Sequence, residues 1–375
     1  MKGRPPVKLK SGEMERSLQN RDLAAFSRRK FLQGGALTVA GATGLASFSV
    51  GEARACMECL TEKLEGKYPI GKTTLVGNEV VPLGSTSASL SPGTVQAMRD
   101  AEMDPMKFLT TFDYGRATRR VDGTSEREYS VVAEDKEIEV AEGVKFPAWV
   151  YNGFMPGPTF RATVGDRLII RFENRASKPH TMHFHGIHPA NMDGVFEVVP
   201  EGKTFTYDFT AEPFGIFPYH CHMMPLRKHI ARGLYGTLIV DPGAPRPPAT
   251  EMIMVMHGLD VDLDMENEFY AVNGVANYYA EHPIGLKVGE KVRIYLSNMT
   301  EFDLVNNFHL HANMFEYYPN GTSLEPIELT DTINLCQGQR GILEFRYKYP
   351  GMYMFHAHTS EFAELGWMGF FDVKG

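Results

Sequence analysis

The sequence has few cysteines, no excess of positive charge and no long apolar run, and each of these argues against one class of protein. The 375-residue chain has only four cysteines, so no framework of disulfides can take the place of a hydrophobic core. Its formal net charge of -8 offers no basic surface of the kind that nucleic-acid-binding proteins use. Its apolar stretch at residues 34–50 contains several glycines and is shorter than the roughly 20 residues of a membrane-spanning helix. The chain is therefore expected to be globular, with a buried core and no nucleic-acid partner.

An export signal precedes the globular part of the chain. Residues 27–32 read SRRKFL, which is a twin-arginine signal, and the apolar stretch at 34–50 follows it. Small residues at 53 and 55 supply the two key positions of a cleavage site, although Cys56 directly after them raises lipid attachment as an alternative. The twin-arginine route exports folded and often cofactor-loaded proteins, so we expect a periplasmic or extracellular location.

Beyond about residue 129, short strand-like segments separated by turns replace a polar extension. Residues 164–170 resemble residues 288–294, and two His-x-His segments follow each copy, which indicates an internal repeat. A proline-rich joint at 241–248 separates the two copies. The sequence therefore predicts an all-β protein of two β-sandwiches. The predicted strands are residues 137–140, 146–151, 167–172, 204–209, 234–240, 252–256, 291–296, 308–318, 342–347 and 353–355.

The predicted organisation has four parts. They are a signal peptide at residues 1–55, an N-terminal extension at 56–128, a first domain at 129–243 and a second domain at 244–375. The extension is expected to be a surface arm. Its Cys56 and Cys59 could form a small disulfide or a metal clip, or have no role, and no catalytic role is assigned to them.

Ten of the thirteen histidines lie in four short segments of the two repeats, at residues 180–185, 220–229, 309–311 and 356–358. Alternate residues of a strand point to the same face, so each His-x-His pair presents two imidazoles side by side. Imidazole is a favoured ligand of copper, and thiolate is a favoured ligand of Cu(I). Four such pairs favour metal binding over a structural role for these histidines.

The ten histidines and one cysteine separate into two kinds of candidate site. The four His-x-His pairs can hold three metal ions with open positions for oxygen. They are His183 with His185, His220 with His222, His309 with His311, and His356 with His358. His180, Cys221 and His229 remain as two imidazoles and a thiolate, the ligand type of a blue-copper electron-transfer site. Because Cys221 lies between His220 and His222, the backbone joins the two sites and favours electron delivery between them.

This arrangement resembles the multicopper oxidases of the laccase superfamily, in particular small two-domain members with the blue copper in the first domain. The resemblance spans about residues 129–375 and rests on the histidine segments and on the motifs at 155–158, 217–222 and 361–366. It implies two cupredoxin-like domains, each a Greek-key β-sandwich, and four copper ions per subunit. Copper nitrite reductases resemble the same span, including residues 272–274 and 281–282.

The resemblance also implies a role for each candidate ligand. The type 1 copper takes His180, Cys221 and His229, the type 2 copper takes His183 and His309, and the type 3 pair takes His185, His220, His222, His311, His356 and His358. Leu234 occupies the axial position of the type 1 site in place of methionine. A missing thioether should raise the potential of the copper. Met223 and Met224 are expected to line the copper edge without binding it.

The main functional prediction is an oxidase that reduces O₂ to water with electrons from a reducing substrate. Electrons are expected to enter at an exposed edge of His229, from a phenol, a cuprous ion, a small nitrogen compound or a protein donor. Oxygen reduction needs a proton source within hydrogen-bond reach. Asp193 and Glu361 are the candidate carboxylates, and each fits a solvated or structural role equally well.

A copper nitrite reductase that produces nitric oxide is the first alternative. That enzyme has an aspartate at the position of His183, and it would leave His222 and the second-domain pairs without a role. His282 fits its proton-handling histidine, but also fits a surface histidine next to a proline. An electron carrier without turnover is the second alternative, and it would need only the ligands of the type 1 site.

Two further expectations concern assembly and the remaining cysteine. The three-copper cluster of this family forms between two domains, so domain 1 of one subunit should meet domain 2 of the next. Such a head-to-tail contact closes as a ring, and the resemblance implies a homotrimer. Cys336 is expected to be a small buried hydrophobic residue.

Overall fold

The computed structural model describes residues 104–375. The export signal, its cleavage site, the Cys56 and Cys59 pair and most of the predicted extension lie outside the described residues. The first half contains helices α1 (Pro105–Leu109) and α2 (Leu226–Ala231) and a short 3-10 turn (Ala190–Met192). Its strands are β1 (Arg116–Arg119), β2 (Ser125–Ala141), β3 (Val144–Tyr151), β4 (Thr159–Thr163), β5 (Arg167–Asn174), β6 (His183–Phe184), β7 (Lys203–Thr210), β8 (Gly215–His220) and β9 (Tyr235–Asp241).

The second half is again built mainly of strands. It contains helices α3 (Tyr278–Glu281) and α4 (Ser360–Glu364). Its strands are β10 (Thr250–Leu259), β11 (Phe269–Val272), β12 (Ile284–Lys287), β13 (Val292–Asn298), β14 (Val305–Leu310), β15 (Phe315–Pro319), β16 (Glu328–Thr330), β17 (Thr332–Cys336), β18 (Arg340–Phe345), β19 (Gly351–His356) and β20 (Met368–Lys374). No helix among residues 104–375 is long and apolar enough to span a membrane.

The strand pairing repeats between the two halves. In the first half β2 pairs antiparallel with β3 and parallel with β5, and β5 pairs antiparallel with β7. In the second half β10, β11, β13 and β18 pair in the same senses. The other sheet of each half also matches, because β6–β8–β9–β4 corresponds to β14–β19–β20–β12. This correspondence confirms the predicted all-β fold and its internal repeat.

Three clusters of buried side chains hold this architecture together. One fills the first sandwich and includes Phe172, Phe184 and Tyr219, and another fills the second sandwich and includes Phe308, Phe355 and Trp367. A third cluster lies between the halves, where side chains of β2 and β3 pack against β10 and β13. The two halves therefore share a continuous apolar contact.

Paired charges lie beside that contact. Arg161 of β4 binds Asp241 at 2.8 Å and Glu251 of β10 at 2.5 Å. Arg293 of β13 binds Glu251 at 2.8 Å and Glu344 of β18 at 2.6 Å. Both arginines and Glu344 are buried, so each charge depends on its partners for compensation. The network ties one sandwich to the other at the proline-rich joint.

Several strands, β8 among them, were not predicted, and two further departures concern a chain reversal and a domain boundary. The predicted strand at 308–318 is two strands, β14 and β15, because the chain reverses between them and Ala312 adopts a left-handed φ of 54°. The predicted domain boundary at residue 129 falls inside β2, which begins at Ser125 and pairs with β1. Part of the predicted extension is therefore built into the first sheet, while the domain boundaries themselves stay a prediction.

Candidate metal centres

Three buried side chains from separate elements meet in the first half of the chain. His180 lies opposite Val199 in an isolated bridge, Cys221 directly follows β8, and His229 lies in α2. The Sγ atom of Cys221 lies 3.3 Å from Nδ1 of His229 and 3.8 Å from Nδ1 of His180. The two Nδ1 atoms are 3.1 Å apart. We call these three residues the cysteine set.

The electrostatics of the cysteine set fit a bound cation. Burial raises the pKa of the Cys221 thiol to about 11, and burial is also the largest cause that lowers the pKa of His180 to about 3 and of His229 to about 4. Neutral imidazoles are the ligating form of histidine. A buried thiolate needs a positive charge close by, and a metal ion at the meeting point of the three ligand atoms would supply it.

Trp149 of β3 covers this set. Its indole centroid lies 4.7 Å from the ring of His229 and 5.2 Å from the ring of His180. His229 is only 4% exposed, so the expectation of an exposed His229 edge is wrong for this chain. Trp149 could not be predicted from local sequence, since the contact joins β3 to residues 31 and 80 positions further along the chain.

A first group of four histidines lies next to the cysteine set. It consists of His183, His185, His220 and His222. His183 of β6 faces His220 of β8 across an antiparallel pair. The Nε2 atoms of His185 and His220 are 3.2 Å apart, and the ring of His183 lies 5.2 Å from that of His222. All four side chains therefore converge, as the His-x-His spacing predicts.

A second group repeats this geometry in the other sandwich. It consists of His309, His311, His356 and His358. His309 of β14 faces His356 of β19 across an antiparallel pair. The Nε2 atoms of His311 and His356 are 2.9 Å apart, and the ring of His309 lies 5.1 Å from that of His358. Position by position, the second group matches the first.

Hydrogen bonds fix which ring nitrogen faces each centre. The Nδ1–H groups of His183 and His309 donate to the backbone carbonyls of Asp193 and Asp331, at 2.7 Å and 3.0 Å. A carbonyl oxygen can only accept, so these rings carry their proton on Nδ1. Their Nε2 atoms are left as acceptors, which is the arrangement of a metal-binding histidine oriented by a backbone partner.

Within the described part of one chain, no ring contact joins one histidine group to the other. The second sandwich reaches the first group by another route, through the turn between β17 and β18. A Cβ built on Gly338 in that turn would lie 3.4 Å from Cε1 of His185. Arg340 after the turn donates from Nε to the carbonyl of Ile216 at 2.9 Å. One chain thus presents two separate half-sites.

Comparison with known proteins gives these centres a family. Models of the multicopper oxidase family match residues 132–245 and 246–375. A solved structure of a multicopper oxidase is 53% identical in sequence, with a TM-score of 0.72, over 74% of this chain and 99% of its own.

This chain belongs to the multicopper oxidase family.

Two copper nitrite reductases are more distant relatives. The copper nitrite reductase of Nitrosomonas europaea is 26% identical, with a TM-score of 0.62, over 66% of this chain and 94% of its own. The copper-containing nitrite reductase of Neisseria gonorrhoeae is 27% identical over 60% of this chain. The chain spans 62% of the length of that protein. Membership of the multicopper oxidase family implies copper as the metal and a copper oxidoreductase as the class of protein.

The surroundings of the cysteine set in this multicopper oxidase contain no axial thioether at the expected position. Leu234 is fully buried, and its carbonyl accepts the backbone N–H of Cys221 at 2.9 Å. Met224 is 65% exposed, whereas Met223 is partly buried against the core of the first sandwich. Met223 also donates its backbone N–H to Sγ of Cys221 at 3.5 Å.

Asp193 is the predicted carboxylate that the structure brings to a histidine group. Its Oδ1 lies 3.1 Å from Nδ1 of His183 and 3.8 Å from Nε2 of His188, a histidine that the sequence analysis did not select. Gly194 allows this approach, since a Cβ there would lie within 1.9 Å of the Met182 carbonyl oxygen. The Asp193 carboxylate therefore lies at the edge of the first group.

The other two predicted catalytic residues lie at the surface. Glu361 is exposed in the first turn of α4, three residues beyond His358. His282 is exposed after α3, where its ring stacks on Tyr278 at 4.5 Å and its Nδ1–H donates to the Tyr278 carbonyl. Their catalytic roles stay predictions.

Cys336 is exposed, so the expectation that it is buried is wrong. Strand β17 alternates, with Ile333 and Leu335 pointing inward and Cys336 pointing outward.

Proposed function

We propose that this chain is an oxidase that couples one-electron oxidation of a reducing substrate to the four-electron reduction of O₂ to two waters. The cysteine set would be the electron-entry site, and the two histidine groups would together hold three copper ions. Bound copper would supply reversible one-electron chemistry at both places. The observation that carries this proposal is the matched pair of histidine groups, each with convergent rings whose Nε2 atoms are free to bind metal.

The chain's own residues would perform three tasks in this reaction. Cys221 and its neighbours His220 and His222 provide a short covalent connection between the two sites. The carbonyls of Asp193 and Asp331 hold imidazoles in the ligating orientation. The Asp193 carboxylate, 3.1 Å from Nδ1 of His183, would hold and move a proton there.

A second copy of the chain would complete the site. The second histidine group opens onto a cavity of about 640 Å³, whose rim includes Met314, Leu329 and Tyr349. These three side chains are 48%, 61% and 72% exposed, which is unusual for large apolar groups clustered at a polar centre. We infer that the first domain of a neighbouring chain covers this cavity, and that the head-to-tail contact closes as a homotrimer.

Nitrite reduction is the second candidate, and the nitrite reductases of Neisseria and Nitrosomonas among the relatives support it. The residue content opposes it, because His183 stands where that enzyme has an aspartate and the second group supplies four histidines. His282, stacked at the surface, is available for the proton-handling role of a reductase. Four converging imidazoles in each half are explained better by a three-copper cluster.

Metal analysis with turnover measurements decides between these functions. About four copper ions per chain, an absorption of coupled copper at about 330 nm and oxygen consumption with a reducing substrate are the expected results. About two copper ions per chain with nitrite-dependent formation of nitric oxide would overturn the oxidase proposal. One copper ion per chain without turnover would instead indicate an electron carrier.

A further inference from the structure

Trp149 contacts both histidines of the cysteine set. The tilted indole lies against both imidazoles, at angles of 48° to His229 and 58° to His180. Trp149 itself is only 6% exposed. A single aromatic ring therefore lies over both histidines and separates them from solvent.

Arg232 fastens this ring. Its guanidinium carbon lies 4.7 Å from the indole centroid, within the range of a cation–π contact. Its backbone carbonyl accepts the N–H of Trp149 at 2.8 Å. The buried Nε of Arg232 has no hydrogen-bond partner among residues 104–375, which leaves the guanidinium free to lie against the indole face.

The backbone next to Arg232 brings α2 and β3 close together. Gly233 has a left-handed φ of 110°, and a Cβ there would lie 2.9 Å from the Trp149 carbonyl oxygen and 2.6 Å from Sδ of Met155. Only glycine tolerates this approach without displacement. The turn that follows the helix of His229 is therefore held directly against the strand that carries Trp149.

We propose that Trp149, fastened by Arg232, is a positioning residue that fixes both imidazoles of the cysteine set and closes the set to water. An electron donor would then contact this lid instead of His229 itself. The description of the set as an electron-entry site rests on the proposed function, whereas the lid does not. If Trp149 only filled space in the core, the core would repack after removal of the indole ring, and Cys221 would stay as inaccessible as in the parent.

Labelling of Cys221 tests the closure without any requirement for copper or turnover. Metal-free full-length chain is treated with iodoacetamide, and the label on each cysteine-containing peptide is followed by mass spectrometry. Trp149→Ala should label Cys221 about tenfold faster, equivalent to about 1.4 kcal/mol of easier opening. Trp149→Phe keeps a ring and should stay within about twofold of the parent. The exposed Cys336 is the internal reference and should not change.

If circular dichroism shows that Trp149→Ala does not fold, Arg232→Gln provides a second test of the proposal. It should raise Cys221 labelling above that of Trp149→Phe, because the ring loses its clamp. The proposal is overturned if the ring-free or clamp-free variant is folded and labels Cys221 at the parental rate.

Copper spectroscopy tests the positioning role in the loaded protein. Tryptophan fluorescence that is present in the parent and absent in Trp149→Phe is assigned to Trp149. Binding of Cu(II) should quench this fluorescence, because the ring contacts both histidine ligands. Trp149→Ala should also shift the blue absorption band and lower the potential of the site, since water enters. Unquenched emission or an unshifted band and potential would overturn the positioning role. Absence of oxygen turnover in the copper-loaded parent, with normal quenching, would count against the oxidase proposal and not against the lid.

Discussion

Leu234 is the predicted axial residue of the cysteine set, and a single substitution can test this prediction. Leu234→Met would bring a thioether to the axial position, and we expect the potential of the bound copper to fall. Leucine and methionine have similar volumes, so the cost in folding free energy should stay below about 1.5 kcal/mol. Leu238→Met on β9 is the matched control, because Leu238 is buried in the same core. Redox titration of the blue band should show a lower potential for the first variant only. An unchanged potential in both would mean that position 234 is not axial.

Asp193 is the residue to substitute for the proposed proton transfer. Its backbone carbonyl holds His183 independently of its carboxylate, so Asp193→Asn should keep the copper content. We expect oxygen turnover to fall by about tenfold or more, with an altered pH profile, since a positioned carboxylate contributes at least this much to proton transfer.

Glu361→Gln is the comparison for that experiment, because Glu361 is the other candidate carboxylate and is exposed. Unchanged turnover and pH profile in both variants would remove both carboxylates from the mechanism. A loss of copper in Asp193→Asn would instead indicate a structural role for the carboxylate at His183.

The histidines were predictable from the sequence because the two-residue period of a strand fixes which side chains share a face. Trp149 and His188 were not, since the contacts that place them depend on how distant strands and turns pack. His229 was correctly grouped with Cys221, but its burial depends on Trp149, so the exposed edge expected from the resemblance was wrong. The identity of the ligands can thus be predicted from local sequence, whereas their exposure to solvent depends on tertiary packing.

At the scale of elements, the network that joins β4, β10 and β13 makes a stability prediction. Arg161→Met removes a buried charge that pairs with Asp241 and Glu251. Breaking a buried pair by removing one partner costs about 3–5 kcal/mol. We expect a loss near about 3 kcal/mol, because Arg293 still compensates Glu251. Denaturant unfolding followed by circular dichroism measures it.

Acid should reduce this difference. Burial raises the pKa of Glu251, but hydrogen bonds from Arg161, Tyr295 and Arg293 outweigh it and lower the pKa from 4.5 to about 2. The contribution of Glu251 is therefore present above about pH 4.5 and is lost as the pH falls towards 2. Lys145→Met breaks the exposed pair with Glu139 and is the control, expected to cost much less folding free energy than Arg161→Met. Equal losses in the two variants would contradict the ranking by burial.

The elements themselves were partly predictable. Strands with alternating or long apolar patterns, such as β5 and β13, were found from the sequence. Strand β8 was missed, because its six residues contain Pro218 and show no alternation of apolar and polar side chains. The break between β14 and β15 was missed because Ala312 gives no sequence indication of its left-handed backbone.

At the scale of the whole molecule, the repeat explains why one chain carries two matching histidine groups. The two sandwiches carry their histidine groups at equivalent positions, on β6 and β8 in one and on β14 and β19 in the other. They are fixed to each other by a shared apolar cluster and by the Arg161 network. In the described part of one chain, no ring contact joins the two groups. Joining them between chains requires only that a second copy docks.

Subunit mixing tests this assembly. A chain with His185→Ala and His220→Ala lacks the first group, a chain with His311→Ala and His356→Ala lacks the second, and each alone should be inactive. If every cluster takes its first group from one chain and its second from the next, coexpression in equal amounts should restore activity at about a quarter of the clusters. Separately purified variants, mixed without subunit exchange, are the control and should remain inactive. A cluster built within one chain would give no restored activity under any mixing, and that outcome would exclude the shared site.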